Sequence, residues 1–273
     1  MKSSRRQFMG QVVAVSTAMA AGGAIAAPGP AFRLGSQSYS FRKFDTAGAI
    51  KEVQKLGLSN IEFCNAHFPC SATDPGLAAV QALIKETGIN VLCYGVEGFG
   101  ADEAANRAKF EFAKALGIGI ITADPLPESF ANLDKLTEEF KIKIAIHNHG
   151  PNDERYGHVE KVLAAIKDHS PLIGACVDTG HTIRSAEKPH EVIAALGDRV
   201  HSLHLKDWVT GGEEQILGKG DMDLVAVARA LKGIKFAGPL MIEYENSPDN
   251  PGPDMAIGIA NWQSAVDEVW KKA

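Results

Sequence analysis

The stretch Gly174-Ala175-Cys176-Val177-Asp178-Thr179-Gly180-His181 contains a short apolar run that ends in a carboxylate. An apolar run of this length that begins at a glycine is typical of a strand buried on both faces. An unpaired carboxylate is costly to bury, so Asp178 requires a cationic partner, and His181 follows closely enough to share it. The stretch therefore predicts a buried parallel strand whose carboxyl end forms part of a site.

Three other segments repeat this pattern of an apolar run that ends in a polar, metal-competent side chain: Lys143–His149, Val200–Asp207 and Pro239–Glu245. Short apolar runs alternate with helical segments along the whole chain, which gives eight strand–helix units. This alternation predicts an α/β protein with the (β/α)8 TIM barrel fold. No GxGxxG motif follows the first strand, which disfavours an open dinucleotide-binding sheet.

The boundaries of these units follow from hydrophobic periodicity and from glycines that end the helices. The predicted strands are Phe32–Tyr39, Asn60–Phe63, Asn90–Tyr94, Gly119–Ala123, Lys143–His147, Ile173–Asp178, Val200–Leu205 and Pro239–Tyr244. The predicted helices are Asp45–Leu56, Gly76–Thr87, Ala101–Leu116, Phe130–Phe140, His158–Asp168, Lys188–Leu196, Leu224–Leu231 and Ala256–Trp270.

The first 26 residues resemble a twin-arginine signal peptide. Ser4-Arg5-Arg6-Gln7-Phe8-Met9 resembles the export motif, and the run after it is too short and too weakly apolar to span a membrane. Ala24-Ile25-Ala26 fits a small-residue cleavage site, so cleavage is expected before Ala27. Residues 27–273 would then form one catalytic barrel domain, exported to the periplasm and free of the membrane. The alternative is an uncleaved N-terminal anchor.

Composition and charge limit the partners. The chain has 273 residues with a formal net charge of −5, 45% hydrophobic and 22% charged residues, as expected for a globular protein. An acidic chain lacks the basic surface that nucleic acids require, and it disfavours a polyanionic substrate. A homo-oligomer is compatible with the sequence. Cys93 and Cys176 are expected to be free in buried strands, whereas Cys64 and Cys70 share one loop and either form a disulfide or stay free.

Active sites of (β/α)8 barrels lie at the C-terminal ends of the strands. Each of the four last strands brings a metal-competent side chain there: His147, Asp178, His204 and Glu243, with His149 as the alternative on the fifth strand. Taken singly, each has the plainer interpretation of a hydrogen-bonded structural residue or a helix cap. Mixed nitrogen and oxygen ligands disfavour Ca²⁺, so the joint pattern predicts a divalent metal cofactor: Mn²⁺, Zn²⁺, Co²⁺ or Mg²⁺.

Across the predicted barrel, the sequence resembles the xylose-isomerase-like TIM barrel superfamily, in its sugar phosphate isomerase/epimerase group. The resemblance is carried by motifs at the strand ends. They are Leu34-Gly35-Ser36-Gln37-Ser38-Tyr39-Ser40-Phe41, Ile61-Glu62-Phe63, Asn148-His149-Gly150, Val177-Asp178-Thr179-Gly180-His181, His204-Leu205-Lys206-Asp207, Gly218-Lys219-Gly220-Asp221 and Ile242-Glu243.

The resemblance implies a metal held by a carboxylate, an Asp, a His and a Glu on strands 5 to 8. The last three correspond to Asp178, His204 and Glu243, but this chain has His147-Asn148-His149 where the epimerases have Glu-Asn-His. In those enzymes the two glutamates move a proton next to a carbonyl, and only Glu243 of that pair remains. The implied activity is a sugar isomerase or epimerase acting on a neutral sugar or keto-sugar. The alternative is a metal-dependent lyase, hydratase or hydrolase acting on keto-glycosides.

The remaining candidates divide into two groups. Those expected to be catalytic are Glu243, His149 and Lys206, and those expected to bind the sugar are Glu62, His181, Tyr39 and Trp208. Each has an alternative: a surface ion pair with Asp207 for Lys206, a cap or packing role for His181, a structural role for Glu62, and core packing for the aromatic residues.

Two further classes remain open. Apurinic-site endonucleases share this barrel, but they require further histidines on strands 2 and 3 and a basic groove. The third strand here ends in Tyr94-Gly95-Val96-Glu97, without a histidine. A non-catalytic sugar-binding protein is the other class, and four metal-competent strand ends disfavour it.

Overall fold

A closed barrel of eight parallel strands forms the centre of the computed structural model, which describes residues 29–271. Its strands are β1 (Arg33–Gln37), β2 (Asn60–Phe63), β3 (Asn90–Phe99), β4 (Ile120–Pro125), β5 (Lys143–His147), β6 (Ile173–Asp178), β7 (Val200–Leu205) and β10 (Pro239–Ile242). Neighbouring strands pair in chain order, and β1 closes the barrel against β10. The predicted TIM barrel is confirmed.

Nine α-helices are described in residues 29–271: α1 (Thr46–Lys55), α2 (Leu77–Thr87), α3 (Glu103–Leu116), α4 (Phe130–Phe140), α5 (Val159–Ile166), α6 (Thr179–Arg184), α7 (Pro189–Leu196), α8 (Leu224–Gly233) and α9 (Gly252–Lys271). Aspartates cap the backbone N–H groups at the start of several of them, as Asp45 does for α1 and Asp102 for α3. Gly88 and Gly117 end α2 and α3 in the left-handed conformation that glycine adopts without strain.

Hydrophobic residues fill two regions, and together they leave one end of the barrel open for a site. The larger core lies between the strands and the helices. A smaller buried cluster consists of Leu92, Cys93, Ile120, Ala145, Cys176 and Met241. Side chains two positions apart on a strand share a face, so Ala145, Cys176 and Met241 lie on the same face as His147, Asp178 and Glu243. The apolar cluster therefore forms a floor below the polar side chains.

The structure adds elements that the sequence analysis did not predict. Helix α6 begins directly after β6, and a two-stranded antiparallel hairpin of β8 (Asp207–Trp208) and β9 (Glu214–Gln215) follows β7. Strand β3 continues to Phe99 rather than ending at Tyr94. These additions all belong to the loops at the C-terminal ends of the strands, the end of a TIM barrel that carries function.

All four cysteines are free thiols, and Cys93 and Cys176 lie in the small apolar cluster as expected. Of the two options for Cys64 and Cys70, the structure therefore has the unpaired one. Within residues 29–271, the helices lack the length and apolar character needed to cross a bilayer. The predicted signal peptide, residues 1–26, and its cleavage site lie outside the described residues.

Candidate metal centre

Four side chains from four consecutive barrel strands converge at the C-terminal mouth. His147, Asp178, His204 and Glu243 each offer one ligand atom, these atoms lie within 4.8 Å of one another, and all four residues are buried. His147 and Asp178 end β5 and β6, and His204 lies one residue before the end of β7. Glu243 directly follows β10, where its backbone N–H continues the ladder to Leu205.

Three of the distances between these ligand atoms match those around a single small cation. His147 Nε2 lies 3.1 Å from His204 Nδ1 and 3.6 Å from Asp178 Oδ2, and His204 Nδ1 lies 3.4 Å from Glu243 Oε2. Ligand atoms about 2.0–2.2 Å from one zinc ion stand roughly 3–3.6 Å from one another. Two imidazole nitrogens and two carboxylate oxygens also suit Zn²⁺, Mn²⁺ or Co²⁺ in their chemistry. The residues therefore fit a divalent metal.

Local hydrogen bonds hold Asp178 in position. Its Oδ1 accepts the backbone N–H of His181 at 2.7 Å and so caps α6. The side-chain amide of Asn148 accepts from the backbone N–H of Asp178 at 2.9 Å and donates to its carbonyl at 3.0 Å. Oδ2 has no hydrogen-bond partner within residues 29–271, although it is buried. One oxygen thus fixes the side chain, and the other is left to face the cluster.

Glu62 orients His204. Its Oε2 accepts from His204 Nε2 at 3.0 Å, and both side chains are buried, with exposures of 0% and 1%. A proton held on Nε2 leaves the lone pair of Nδ1 directed at the cluster, which is how carboxylates commonly support a metal-binding histidine. Glu62 was expected to bind the sugar. The structure instead places it behind His204, away from the residues that line the cavity.

Lys206 is 1% exposed and lies among three carboxylates. Its Nζ is 3.0 Å from Glu243 Oε2 and 3.5 Å from Asp178 Oδ2, and it also forms an ion pair with Glu245. Burial opposes the charged ammonium, but these carboxylates outweigh burial and raise the pKa of Lys206 well above its usual value. The alternative of a surface ion pair with Asp207 is therefore wrong.

Gly180 makes room for the Lys206 side chain. A methyl group at Gly180 would lie 2.7 Å from Lys206 Cγ, so only glycine allows this approach. Thr179 joins the ends of β6 and β7, since its hydroxyl donates to the Lys206 carbonyl at 2.7 Å and accepts the Lys206 N–H at 2.9 Å. The Asp-Thr-Gly sequence thus places both a ligand and a lysine.

Asp207 organises the loop between β7 and α8. Its carboxylate accepts the backbone N–H groups of Trp208, Gly218, Gly220 and Met222 at 2.8–3.1 Å. A side chain at Gly220 would collide with the Asp207 carboxylate at 2.4 Å. The Gly218-Lys219-Gly220-Asp221 motif therefore wraps around a buried carboxylate next to Lys206.

A cavity of about 450 Å³ opens above the four candidate ligands, a volume within the usual range of roughly 300–1,000 Å³ for small-molecule sites. Of the candidates from the sequence, those that line it are Tyr39, His147, His149, His181, His204, Lys206 and Glu243. Trp208 does not, because its indole N–H donates to the Gly212 carbonyl and its ring lies under Arg184. Side chains that the sequence analysis did not select also line the cavity: Gln37, Cys64, Asn65, Arg184 and Glu245.

Three imidazoles stand together on one side of the cavity. The ring centroid of His147 lies 4.5 Å from that of His149 and 5.7 Å from that of His181. Burial lowers the pKa values of His147 and His181 to about 4, and partial burial together with His181 lowers that of His149. All three are neutral near pH 7, and the lone pair of His181 Nδ1 is taken up by the Arg184 guanidinium at 2.7 Å.

Arg184 and Glu214 were missed for identifiable reasons. Arg184 belongs to α6, which the sequence analysis did not predict, although Asp178 followed by a short polar run is a helix-start signal. Glu214 reaches the site through the β8–β9 hairpin, where its buried carboxylate accepts the backbone N–H groups of Glu245 and Asn246. No local sequence signal indicates that contact.

Comparison with known proteins agrees with the barrel fold. The family model described as xylose isomerase-like TIM barrel matches residues 50–265. The chain belongs to this family. The resemblance predicted from the strand-end motifs is therefore confirmed.

The curated relatives of this chain include inosose dehydratases. That of Clostridium beijerinckii is 22% identical over 228 residues, which cover 72% of this chain and 74% of the relative. That of Clostridium botulinum is 24% identical over 147 residues, which cover 47% of this chain and 49%, about half, of the relative. Among solved structures, the IOLI protein with a bound zinc atom shares the fold, with a TM-score of 0.70, 18% identity, and coverage of 88% of this chain and 99% of that one.

Proposed function

We propose that this xylose-isomerase-like protein is a divalent-metal-dependent enzyme that dehydrates a keto-sugar. It would remove the proton next to the carbonyl and expel a hydroxyl group from the following carbon. The observation that carries this proposal is the convergence of His147, Asp178, His204 and Glu243 below a cavity that also holds His149. The inosose dehydratases among its relatives support the choice of reaction.

The residue on β5 favours elimination over a two-base reaction. With His147 among the candidate ligands, no carboxylate from β5 is available as the second base. Glu243 and Glu245 are both engaged by Lys206. His149 has a freer position, since its nearest carboxylate oxygen, Asp153 Oδ2, is 4.0 Å away and its side chain is 42% exposed. A neutral imidazole at this position is a suitable general base.

One proton carrier is sufficient for this step. His149 takes the proton from carbon, the C–H electron pair forms the C=C bond, and the bond to the hydroxyl oxygen breaks. The same proton then passes from His149 to the departing hydroxide, which leaves as water. The pKa of Lys206 is raised, so Lys206 keeps its proton and does not act as an acid. Its positive charge stabilises the negative charge that develops on the substrate. A bound divalent metal would polarise the carbonyl and stabilise the charge that follows proton removal.

Isomerisation or epimerisation is the second candidate. It shares the removal of the proton next to the carbonyl, and Glu243 stands where the family epimerases have one of their two glutamates. In that case the proton returns to carbon and no water is lost. The two outcomes differ in their products, so one experiment separates them.

The test is an NMR assay in D₂O with Mn²⁺- or Co²⁺-loaded protein and a panel of an inosose, a 3-keto-glucoside and a ketohexose. Dehydration predicts a product that lacks one water, whereas epimerisation predicts an isomer that carries deuterium at the inverted carbon. His149→Gln should lower the rate at least about 100-fold. His190→Gln, which changes a histidine on α7 outside the cavity lining, is the matched control.

The proposal fails if the loaded protein turns over no member of a broad keto-sugar panel and no metal binds to it. Sugar binding without turnover would favour the non-catalytic class. Export through the twin-arginine signal is also part of this proposal, supported by residues 1–26 alone. Fusing these residues to a reporter protein tests it, and replacing Arg5 and Arg6 by Lys should keep the reporter in the cytoplasm.

A further inference from the structure

Arg184 carries a positive charge that is paired with no carboxylate in the described part of the chain. Within residues 29–271 its guanidinium forms no ion pair, although it lines the cavity. Its Nη1 donates to His181 Nδ1 at 2.7 Å, and its guanidinium stacks on the Trp208 ring at 4.9 Å. By contrast, Arg155 forms an ion pair with Asp124 and Arg107 one with Glu139. Two neighbours therefore hold Arg184 in place, and neither neutralises it.

The contact with Arg184 determines which nitrogen of His181 carries the proton. A guanidinium has five N–H donors and no acceptor, so His181 Nδ1 must accept. In the neutral imidazole the proton is then on Nε2, which becomes a donor. The cavity thus has one wall, formed by Arg184 and His181, that offers N–H donors. The carboxylates Glu243 and Glu245, both paired with Lys206, line the same cavity.

The chemistry of this wall matches a carboxylate better than a hydroxyl. A carboxylate has two coplanar acceptor oxygens and no proton, and it pairs with a guanidinium through two parallel hydrogen bonds. A sugar hydroxyl offers one oxygen and carries a proton that needs an acceptor. A ligand in the cavity would therefore present an acidic group to Arg184.

We propose that Arg184 and His181 bind a carboxylate of the substrate, so the substrate is an acidic keto-sugar such as a keto-aldonate or keto-uronate. This inference rests on the proposed function and refines its substrate class. It also departs from the neutral sugar expected from the resemblance and from the net charge of −5, because Arg184 places a local positive charge without a carboxylate partner in the cavity lining.

The test is calorimetric binding of D-glucuronate and D-glucose to zinc-loaded protein. These sugars have the same ring and differ at one carbon, which is a carboxylate in the first and a hydroxymethyl group in the second. We expect wild-type protein to bind glucuronate at least about tenfold more tightly than glucose, as charge-assisted hydrogen bonds imply. In Arg184→Gln the ratio should fall to near one, and in Arg184→Lys it should be intermediate.

Arg229→Gln is the control, because it removes the same charge from an exposed residue of α8 that is paired with Glu268. It should leave the preference unchanged. A thermal melt of each variant shows that the fold is intact. Equal binding of both sugars, binding of neither, or a preference that survives Arg184→Gln would overturn the inference; the last result would mean that zinc alone holds the carboxylate. None of these results depends on turnover, so they leave the keto-sugar assay as a separate test of the proposed function.

Discussion

Replacing Glu62 by Leu should weaken metal binding without removing a candidate ligand. Glu62 Oε2 accepts from His204 Nε2 at 3.0 Å, with both groups buried, so the change leaves a buried N–H without a partner and frees the ring to rotate. A buried donor left unpaired costs about 1–3 kcal/mol. Loss of a carboxylate that supports a metal-binding histidine typically lowers metal affinity about 10–100-fold. Glu62→Gln keeps an acceptor, so its metal affinity should lie between that of Glu62→Leu and that of wild type.

The assay is zinc affinity by competition with a chromophoric chelator at pH 7.5, with Co²⁺ absorption as the readout of ligand geometry. The control is Glu97→Gln, which removes a partly buried carboxylate that is paired with Lys109. It should leave zinc affinity within about twofold of wild type. If Glu62→Leu is folded and binds zinc as tightly as wild type, His204 needs no orienting partner and the reasoning is refuted.

Three further predictions concern folding and loop order. Gly180→Ala should lower the free energy of unfolding by about 1–3 kcal/mol in a urea titration, because the new methyl group would lie 2.7 Å from Lys206 Cγ and force that side chain to move. An unchanged urea midpoint would contradict this. Asp207→Ala should raise the rate of amide hydrogen exchange across residues 208–222, since four N–H groups lose their acceptor. Unchanged protection from exchange would show that this loop is ordered without Asp207. Burial lowers the pKa of His201 to about 3, so between roughly pH 6.5 and pH 3 the unfolded chain binds a proton that the folded chain does not, and stability falls with falling pH. Between pH 6.5 and pH 4.5, the free energy of unfolding of His201→Gln should therefore fall by about 2 kcal/mol less than that of wild type in urea titrations. Equal losses of stability would contradict the lowered pKa of His201.

The strands were predictable because each is a short apolar run with a clear end. The run Ile173–Asp178 is recovered with the same boundaries, as are Lys143–His147 and Val200–Leu205. In a closed barrel the strand ends meet at one mouth, so the convergence of His147 and Asp178 follows from the order of the strands. The alternation of side chains then places both on the face that points inward.

The contacts around those ends were not predictable, because they join residues far apart in sequence. The partner of Glu62 is His204, and nothing near either residue indicates that pair. Lys206 was expected to be catalytic, but its surroundings were not predictable: three carboxylates from β6 and the segment after β10 keep it charged inside the protein. The role of Arg184 depends on α6, a helix too short for periodicity to reveal.

The most direct test of the metal centre is zinc K-edge X-ray absorption of the zinc-loaded protein, with metal content measured on the same sample. We predict one zinc per chain, nitrogen and oxygen neighbours at about 2.0–2.1 Å, and the scattering of two imidazoles, with one imidazole lost in His204→Ala. Zinc bound without imidazole scattering, or a spectrum that His204→Ala leaves unchanged, would show that these side chains do not share a metal ion.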